Sequence, residues 1–137
     1  MVNTLLGVHE QFEKQGYTTF LGITFDSLAN QQQLISTMLE NRVGGILLCP
    51  VSFSSTETVE RINKLGIPIV VAIRELPNLM CDYIGLDYIS GAYMGVSHLI
   101  NKGHKRIAFI GGIAQSTTWT ERFEGYVKAH HDANLSI

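Results

Sequence analysis

The amino-acid sequence predicts an α/β fold built on a doubly wound parallel sheet. Short runs such as residues 45–49 and 67–73 are largely apolar at consecutive positions, which is typical of strands buried on both faces of a parallel sheet. These runs alternate with segments whose apolar residues recur at helical spacing. Alternation of strand and helix favours a parallel sheet with helical crossovers.

Five helices are predicted from the helical spacing. The first is the amphipathic N-terminal stretch, and the others are expected at Asn30–Leu39, Thr58–Leu65, Ile89–Lys102 and Thr118–Ala133. Ser55 or Thr56 is the predicted N-cap of the third helix, because a side-chain oxygen there can accept from the first free N–H groups. Gly103 stands where a helix C-terminus favours glycine.

Five strands are predicted between these helices. They are expected at Thr18–Thr24, Gly45–Cys49, Ile67–Ile73, Tyr83–Leu86 and Arg106–Ile110. In parallel α/β sheets, ligands bind beyond the carboxyl ends of the strands. The segments predicted to lie at that edge are residues 24–26, 50–52, 74–75, 87–88 and 111–118.

Composition excludes several classes of function. The formal net charge is −2 and only 16% of the residues are charged, whereas nucleic-acid-binding domains usually carry a basic patch. Any DNA contacts are therefore expected on residues outside this sequence. Cys49 and Cys81 have neither CxxC spacing nor a disulfide framework, which fits a reducing cytosol. The longest apolar run, residues 67–73, is too short to span a bilayer, so no membrane partner is expected.

No pattern in the sequence predicts catalysis, a metal site or a cofactor. The glycine-rich and nucleophile-elbow motifs of nucleotide-binding proteins and hydrolases are absent, and no nucleophile–base pair is recognisable. The histidines do not have the spacing of a metal site, and no cysteine lies at metal-ligand spacing from them; they are His9, His98, His104, His130 and His131. We therefore expect a binding protein and not an enzyme.

Several runs occur together, in an order and spacing that resemble one known family. They read GVHEQFEKQGY, NRVGGILLCP, LGIPIVVAIR, HLINKGHKRIAFIGG and ERFEGY. This series resembles the effector-binding domain of the lactose-repressor (LacI) family of bacterial transcription regulators. The resemblance implies a periplasmic-binding-protein-like fold in which residues 1–102 form the N-terminal lobe without its first strand. Residues 103–137 would then begin a second, similar lobe.

The resemblance also implies a function. Members of the family are cytoplasmic regulators, mostly repressors, that bind a small sugar or related metabolite between their lobes. They act as homodimers and contact operator DNA through an N-terminal helix-turn-helix, which this sequence does not contain. The alternative is an extracytoplasmic sugar-binding protein of a transport system, which shares the two-lobe architecture.

Three predicted effector-binding residues lie near helix starts. Arg122, in the pattern Arg-x-x-Gly-Tyr, matches the arginine that holds the effector in the family; the alternative is a surface arginine. The ligand role is favoured because an isolated cation near a helix N-terminus opposes the helix dipole. Thr118 matches a hydroxyl contact and could equally be an N-cap. Asp87 matches the aspartate of a turn, where it could bind an effector hydroxyl or cap the next helix.

Three further candidates lie at the same predicted edge. Arg74 follows the third predicted strand, where the family usually has Asp-Arg, but Ile73 stands in place of the acidic residue. Trp119 could stack on the apolar face of a sugar, although packing in a core or interface is the favoured interpretation. Pro50 could border the pocket, or could simply end its strand.

Overall fold

The computed structural model describes residues 2–76, 78–114 and 116–137. The elements follow in the order α1 (Val2–Lys14), α2 (Leu28–Glu40), β1 (Ile46–Leu48), α3 (Glu57–Lys64), β2 (Ile69–Ala72), β3 (Asp82–Ile84), α4 (Tyr88–Asn101) and α5 (Thr117–Asp132). All five predicted helices are therefore confirmed, with boundaries shifted by only one or two residues where boundaries were predicted.

The three strands form one parallel sheet in the order β1-β2-β3. Leu48 lies beside Val71, and Val71 beside Tyr83, so the carboxyl ends of the three strands meet at one edge. One face of the sheet packs against α2 and α3. The buried core of this layer consists of Ile35, Ile46, Leu48, Val59, Ile62, Ile69, Val71 and Leu76. This arrangement confirms the predicted α/β fold with a parallel sheet.

Two predicted strands are not present. Residues 18–24 and 106–110 have no strand partner, although both have strongly β-favouring compositions. Strand structure depends on hydrogen bonds to a neighbour, and the sheet has no further strand beyond β1 or β3 among the described residues. Each segment leaves a large apolar side chain in solvent: Phe20 is 66% exposed and Ile110 is 95% exposed.

Local signals fix the ends of the helices. Ser27 caps α2 through a hydrogen bond to its side chain from the Asn30 N–H, at 3.4 Å. Thr56 precedes α3 but makes no side-chain cap, so the predicted capping role is wrong for it. Gly103 follows Lys102, the C-cap of α4, and has φ +91°, the left-handed conformation that favours glycine.

Helices α4 and α5 pack closely together at Gly125. A Cβ atom at this position would collide with the Ile89 carbonyl oxygen, so the contact requires glycine. The next residue, the buried Tyr126, donates its hydroxyl to the Ile107 carbonyl at 2.8 Å. The Gly-Tyr part of the Arg-x-x-Gly-Tyr pattern therefore has a structural role. None of the helices described is both long and apolar enough to cross a membrane.

Candidate functional site

A cavity of about 360 Å³ lies at the carboxyl edge of the sheet. On one side it is lined by Ser52 and Arg74, from the loops that follow β1 and β2. The other side is formed by the segment before α5 and by the first turns of that helix. That side consists of Phe109, Ile110, Gly111, Gly112, Ile113, Ser116, Thr118, Trp119 and Arg122. The cavity thus lies where the topology of a parallel sheet places ligands.

Arg74 is held by an ion pair with Asp26. Its Nη1 atom donates to Asp26 Oδ1 at 2.6 Å and to the Pro50 carbonyl at 3.0 Å. Asp26 also accepts from Ser52, through the backbone N–H at Oδ1 and the hydroxyl at Oδ2, both at 2.8 Å. The acidic partner that is missing at Ile73 is therefore supplied by a residue 48 positions earlier in the chain.

These hydrogen bonds change the titration of Asp26. The backbone N–H of Ser52 and the guanidinium of Arg74 hold the pKa of the carboxyl at about 2, below its ordinary value of 3.8. Partial burial opposes this shift but is the weaker effect. Asp26 is therefore ionised at neutral pH and compensates the charge of Arg74.

The buried side chain of Gln31 holds the loop that follows β1. This side chain is 1% exposed, and its amide accepts from the Val51 N–H and donates to the Ser54 hydroxyl, both at 2.8 Å. A buried amide with both of its ends bonded constrains the loop, since breaking either bond would leave a buried polar atom unpaired. Ser52 therefore lies in a rigid wall of the cavity.

Arg122 reaches the cavity from α5. Its guanidinium lies over the ring of Tyr88, 4.5 Å from the ring centre, and the side chain is exposed. Among the described residues it has no ion pair, whereas Arg74 has one. The neighbouring Glu121 has a raised pKa, first because of partial burial and then because of the charges of Glu75 and Asp87. Arg122 is thus the arginine of the cavity without a bonded carboxylate.

Thr118 lines the cavity and does not cap α5. Ser116 is the N-cap, because its hydroxyl accepts from the Trp119 N–H at 3.3 Å, so the capping alternative for Thr118 is wrong. Asp87 does cap a helix: its carboxylate accepts from the Ser90 N–H at 2.8 Å, and this bond lowers its pKa. Asp87 does not line the cavity.

Trp119 both packs in an aromatic cluster and borders the cavity. Its ring stacks on Phe123, with centres 5.1 Å apart and planes 14° apart, and it meets the edge of Phe109 at 5.7 Å. The cluster continues through Tyr126 to the buried His130. Pro50 is fully buried and contributes its carbonyl to Arg74, so its side chain is not part of the lining.

Two residues of the site were not predicted individually. Asp26 and Ser52 lie in segments that the sequence placed at the carboxyl edge, but nothing in their local pattern distinguishes them. One signal in the sequence could have pointed to Asp26. Arg74 has no acidic neighbour, so a carboxylate from another loop was needed to compensate its charge. In the parts of the chain that the structure describes, no group of three or more His, Cys, Asp or Glu side chains is arranged to hold a metal ion.

Comparison with known proteins identifies the family. The model of periplasmic binding proteins and the sugar-binding domain of the LacI family matches residues 2–137. The chain belongs to this family. The resemblance carried by the sequence motifs is therefore confirmed.

Individual relatives are regulators. The HTH-type transcriptional repressor PurR of Actinobacillus pleuropneumoniae serotype 5b is 33% identical over 133 residues, which cover 97% of this chain and 39% of the relative. The crystal structure of CcpA of Lactococcus lactis superposes with a TM-score of 0.84 at 25% identity, over 97% of this chain and 49% of that one. A sugar-binding LacI-family regulator from Escherichia coli, complexed with phosphate, gives 0.75 at 28% identity, over 97% and 48%.

This LacI-family chain therefore spans about two fifths of the length of the curated relatives. Those relatives are transcription regulators, which agrees with the expectation that the chain is not an enzyme.

Proposed function

We propose that this chain is the effector-binding part of a DNA-binding transcriptional regulator, of the repressor type, that responds to a small sugar or related metabolite. The proposal rests on the cavity of about 360 Å³, a volume that suits a small ligand. Arg122 and Thr118 line one side of this cavity, and Arg74 and Ser52 line the other. Hydroxyls and planar guanidinium groups bind sugar hydroxyls, and Trp119 adds an aromatic ring beside them. Asp87 caps α4, and the Pro50 carbonyl accepts from Arg74, so both residues support the site without lining the cavity.

The position of the cavity supports a bridging mechanism. Residues 1–102 are assigned to the first lobe and residues 103–137 to the beginning of the second, so the effector contacts both. An effector that binds one arrangement of the lobes more tightly shifts the population toward that arrangement. In a dimer, the same shift changes the spacing of the attached DNA-binding heads and couples effector to operator.

DNA contacts are assigned to a helix-turn-helix outside these residues. With a formal net charge of −2, this chain has no excess of positive charge to neutralise DNA phosphates. Contacts to phosphates supply most of the affinity of protein–DNA complexes. The names of the curated relatives, HTH-type transcriptional repressors, support this assignment. A regulator of this type works in the cytoplasm and requires no cofactor.

Exposed surface supports association into a homodimer. Apolar side chains on α1 lie at the surface, among them Leu5, which is 40% exposed, and Leu6, which is 53% exposed. A second copy of the chain would cover surface of this kind.

The alternative is an extracytoplasmic sugar-binding protein of a transport system. The family description includes periplasmic binding proteins, and the cavity would serve that function equally well. The regulator is favoured because the relatives in the comparison are named as repressors and transcription regulators.

Calorimetric titration with a panel of sugars and sugar phosphates tests the proposal. Arg122→Ala should weaken binding of the ligand that wild type prefers by about ten- to a hundredfold, since a hydrogen bond to a charged group contributes about 1.5–3 kcal/mol. Arg122→Lys should restore only part of the affinity, because an ammonium group lacks the planar fork.

Lys128→Ala is the matched control. Lys128 also lies on α5 and also approaches a tyrosine ring, at 5.4 Å from the centre of Tyr93, but it does not line the cavity. This variant should bind like wild type. Equal affinities for wild type and Arg122→Ala, with both proteins folded by circular dichroism, would remove Arg122 from the site.

A further inference from the structure

Among the described residues, the Asp26–Arg74 pair leaves three N–H donors of a cavity-lining guanidinium without a protein acceptor. Arginine carries five N–H donors, and both hydrogens of Nη1 are used by Asp26 and Pro50. The Nη2 and Nε groups donate to no protein atom among the described residues, and the side chain is 30% exposed and lines the cavity. Arg74 therefore presents up to three N–H donors to a ligand, in an orientation set by Asp26.

Asp26 also determines the direction in which the Ser52 hydroxyl forms hydrogen bonds. A serine hydroxyl can either donate or accept, and here its hydrogen points to Asp26 Oδ2 at 2.8 Å. The lone pairs of Ser52 Oγ remain, so the oxygen acts as an acceptor toward the cavity. One carboxylate thus turns Arg74 into an oriented donor and Ser52 into an acceptor beside it.

Backbone strain is concentrated around the same three residues. Non-glycine residues rarely adopt positive φ, and a bulky or β-branched residue there is an outlier. Four of the seven such residues described lie in or next to the Asp26–Ser52–Arg74 network: Phe25 (φ 51°), Asp26 (φ 56°), Phe53 (φ 62°) and Ile73 (φ 69°). Strain of this kind clusters at ligand clamps, where surrounding contacts maintain it.

The contacts that maintain the strain are present. At Ile73 the Arg74 N–H donates to the Ala72 carbonyl at 2.7 Å, which closes a tight turn of the rare γ type. The Ile73 N–H donates to the Ile84 carbonyl at 2.9 Å, and the Tyr83 hydroxyl donates to the Ile73 carbonyl at 3.3 Å. These bonds from β3 aim Arg74 at Asp26.

We propose that Asp26 is a positioning and specificity-determining residue of the effector site, which makes the Arg74–Ser52 wall select a neutral hydroxyl group. A ligand hydroxyl accepts from Arg74 and donates to Ser52 Oγ at the same time. A phosphate also accepts from Arg74, but it meets the Ser52 lone pairs and an arginine whose charge Asp26 already compensates. The inference rests on the proposed effector function and assigns one wall of its site.

The first test needs no ligand. The carboxyl carbon of Asp26 is followed by NMR between pH 1.5 and 6, a range chosen to span about two pH units around its ordinary pKa. In wild type the pKa should lie near 2, and in Arg74→Gln it should move toward the ordinary 3.8. An Asp26 that titrates near 3.8 in wild type would overturn the positioning role.

The second test uses inorganic phosphate as the probe. Asp26→Asn keeps the size of the side chain but leaves the charge of Arg74 uncompensated, so phosphate should bind about tenfold more tightly than to wild type. The double variant Asp26→Asn/Arg74→Gln should return to the wild-type affinity. Glu75→Gln is the matched control, because Glu75 is exposed, adjoins Arg74 in sequence and makes no ion pair with it.

Unchanged phosphate affinity in Asp26→Asn would overturn the specificity role, as would an equal gain in Glu75→Gln. Failure of the proposed function is distinguishable from both results. It would appear as sugar binding that is insensitive to Arg122→Ala, whereas the tests of Asp26 depend on its own titration and on the change in phosphate affinity.

Discussion

Acid should selectively remove the stability that Asp26 contributes. Its carboxyl has a pKa of about 2 in the folded chain against an ordinary 3.8, and each pH unit of difference corresponds to about 1.36 kcal/mol. The full difference corresponds to about 2.4 kcal/mol. The side chain is 35% exposed, so solvent screening reduces the expected contribution to about 1 kcal/mol.

The sign follows from the direction of the shift. A carboxyl whose pKa is lowered by folding stabilises the folded state fully above its unfolded pKa of 3.8. The stabilisation declines as the pH falls from there toward about 2, because protonation removes the ion pair with Arg74. Asp26→Asn cannot titrate, so the difference between wild type and variant should be about 1 kcal/mol at pH 6 and near zero close to pH 2.

Urea unfolding followed by circular dichroism at a series of pH values measures this difference. The slope of the free energy against urea should be the same for both proteins, so that midpoints can be compared directly. Glu75→Gln controls for the general loss of one negative charge near Arg74. A gap between wild type and Asp26→Asn that stays constant across the acid range would refute the reasoning.

Three further predictions concern packing, DNA and association. Tyr126→Phe removes the hydroxyl that donates to Ile107 and should lower the free energy of unfolding by about 1 kcal/mol; an unchanged urea midpoint would contradict this. The chain alone, with its net charge of −2, should not bind DNA with sequence preference at physiological salt, and a sequence-specific gel shift would be the opposite result. The chain should sediment as a dimer at high micromolar concentration, and Leu5→Glu should weaken the dimer; a wild-type monomer would count against the proposed interface.

Helices were predicted more accurately than strands, for a physical reason. A helix satisfies its backbone hydrogen bonds internally, so apolar spacing and caps within one segment determine it. The segment 89–102 needed only its own pattern, an N-terminal Asp87 and a following Gly103 to be placed within one residue of α4. Strands depend on partners, and residues 18–24 and 106–110 have the right composition without a neighbour in the sheet.

The site shows the same limit at the level of side chains. The resemblance to the family pointed to Thr118 and Arg122, and Trp119 adjoins Thr118; all three line the cavity. Caps were harder to assign: Ser116, not Thr118, caps α5, because the choice between neighbouring hydroxyls depends on where the chain turns. Asp26 was missed as a site residue because its partner lies in another loop.

The partnership between Asp26 and Arg74 has a consequence for how the chain works. Arg74 adjoins Ile73, which offers no charge, so its orientation depends on a carboxylate 48 residues away. Together with the bonds to Pro50 and Ser52, it connects three loops. They are the loop before α2, which carries Asp26, the loop after β1, which carries Pro50 and Ser52, and the loop after β2, which carries Arg74. Because the loops share one carboxylate, a ligand that pulls on Arg74 also acts on the loops after β1 and before α2. Under the proposed function, an effector bound at this edge acts on several elements of the proposed first lobe at once, as a switch between arrangements of two lobes requires.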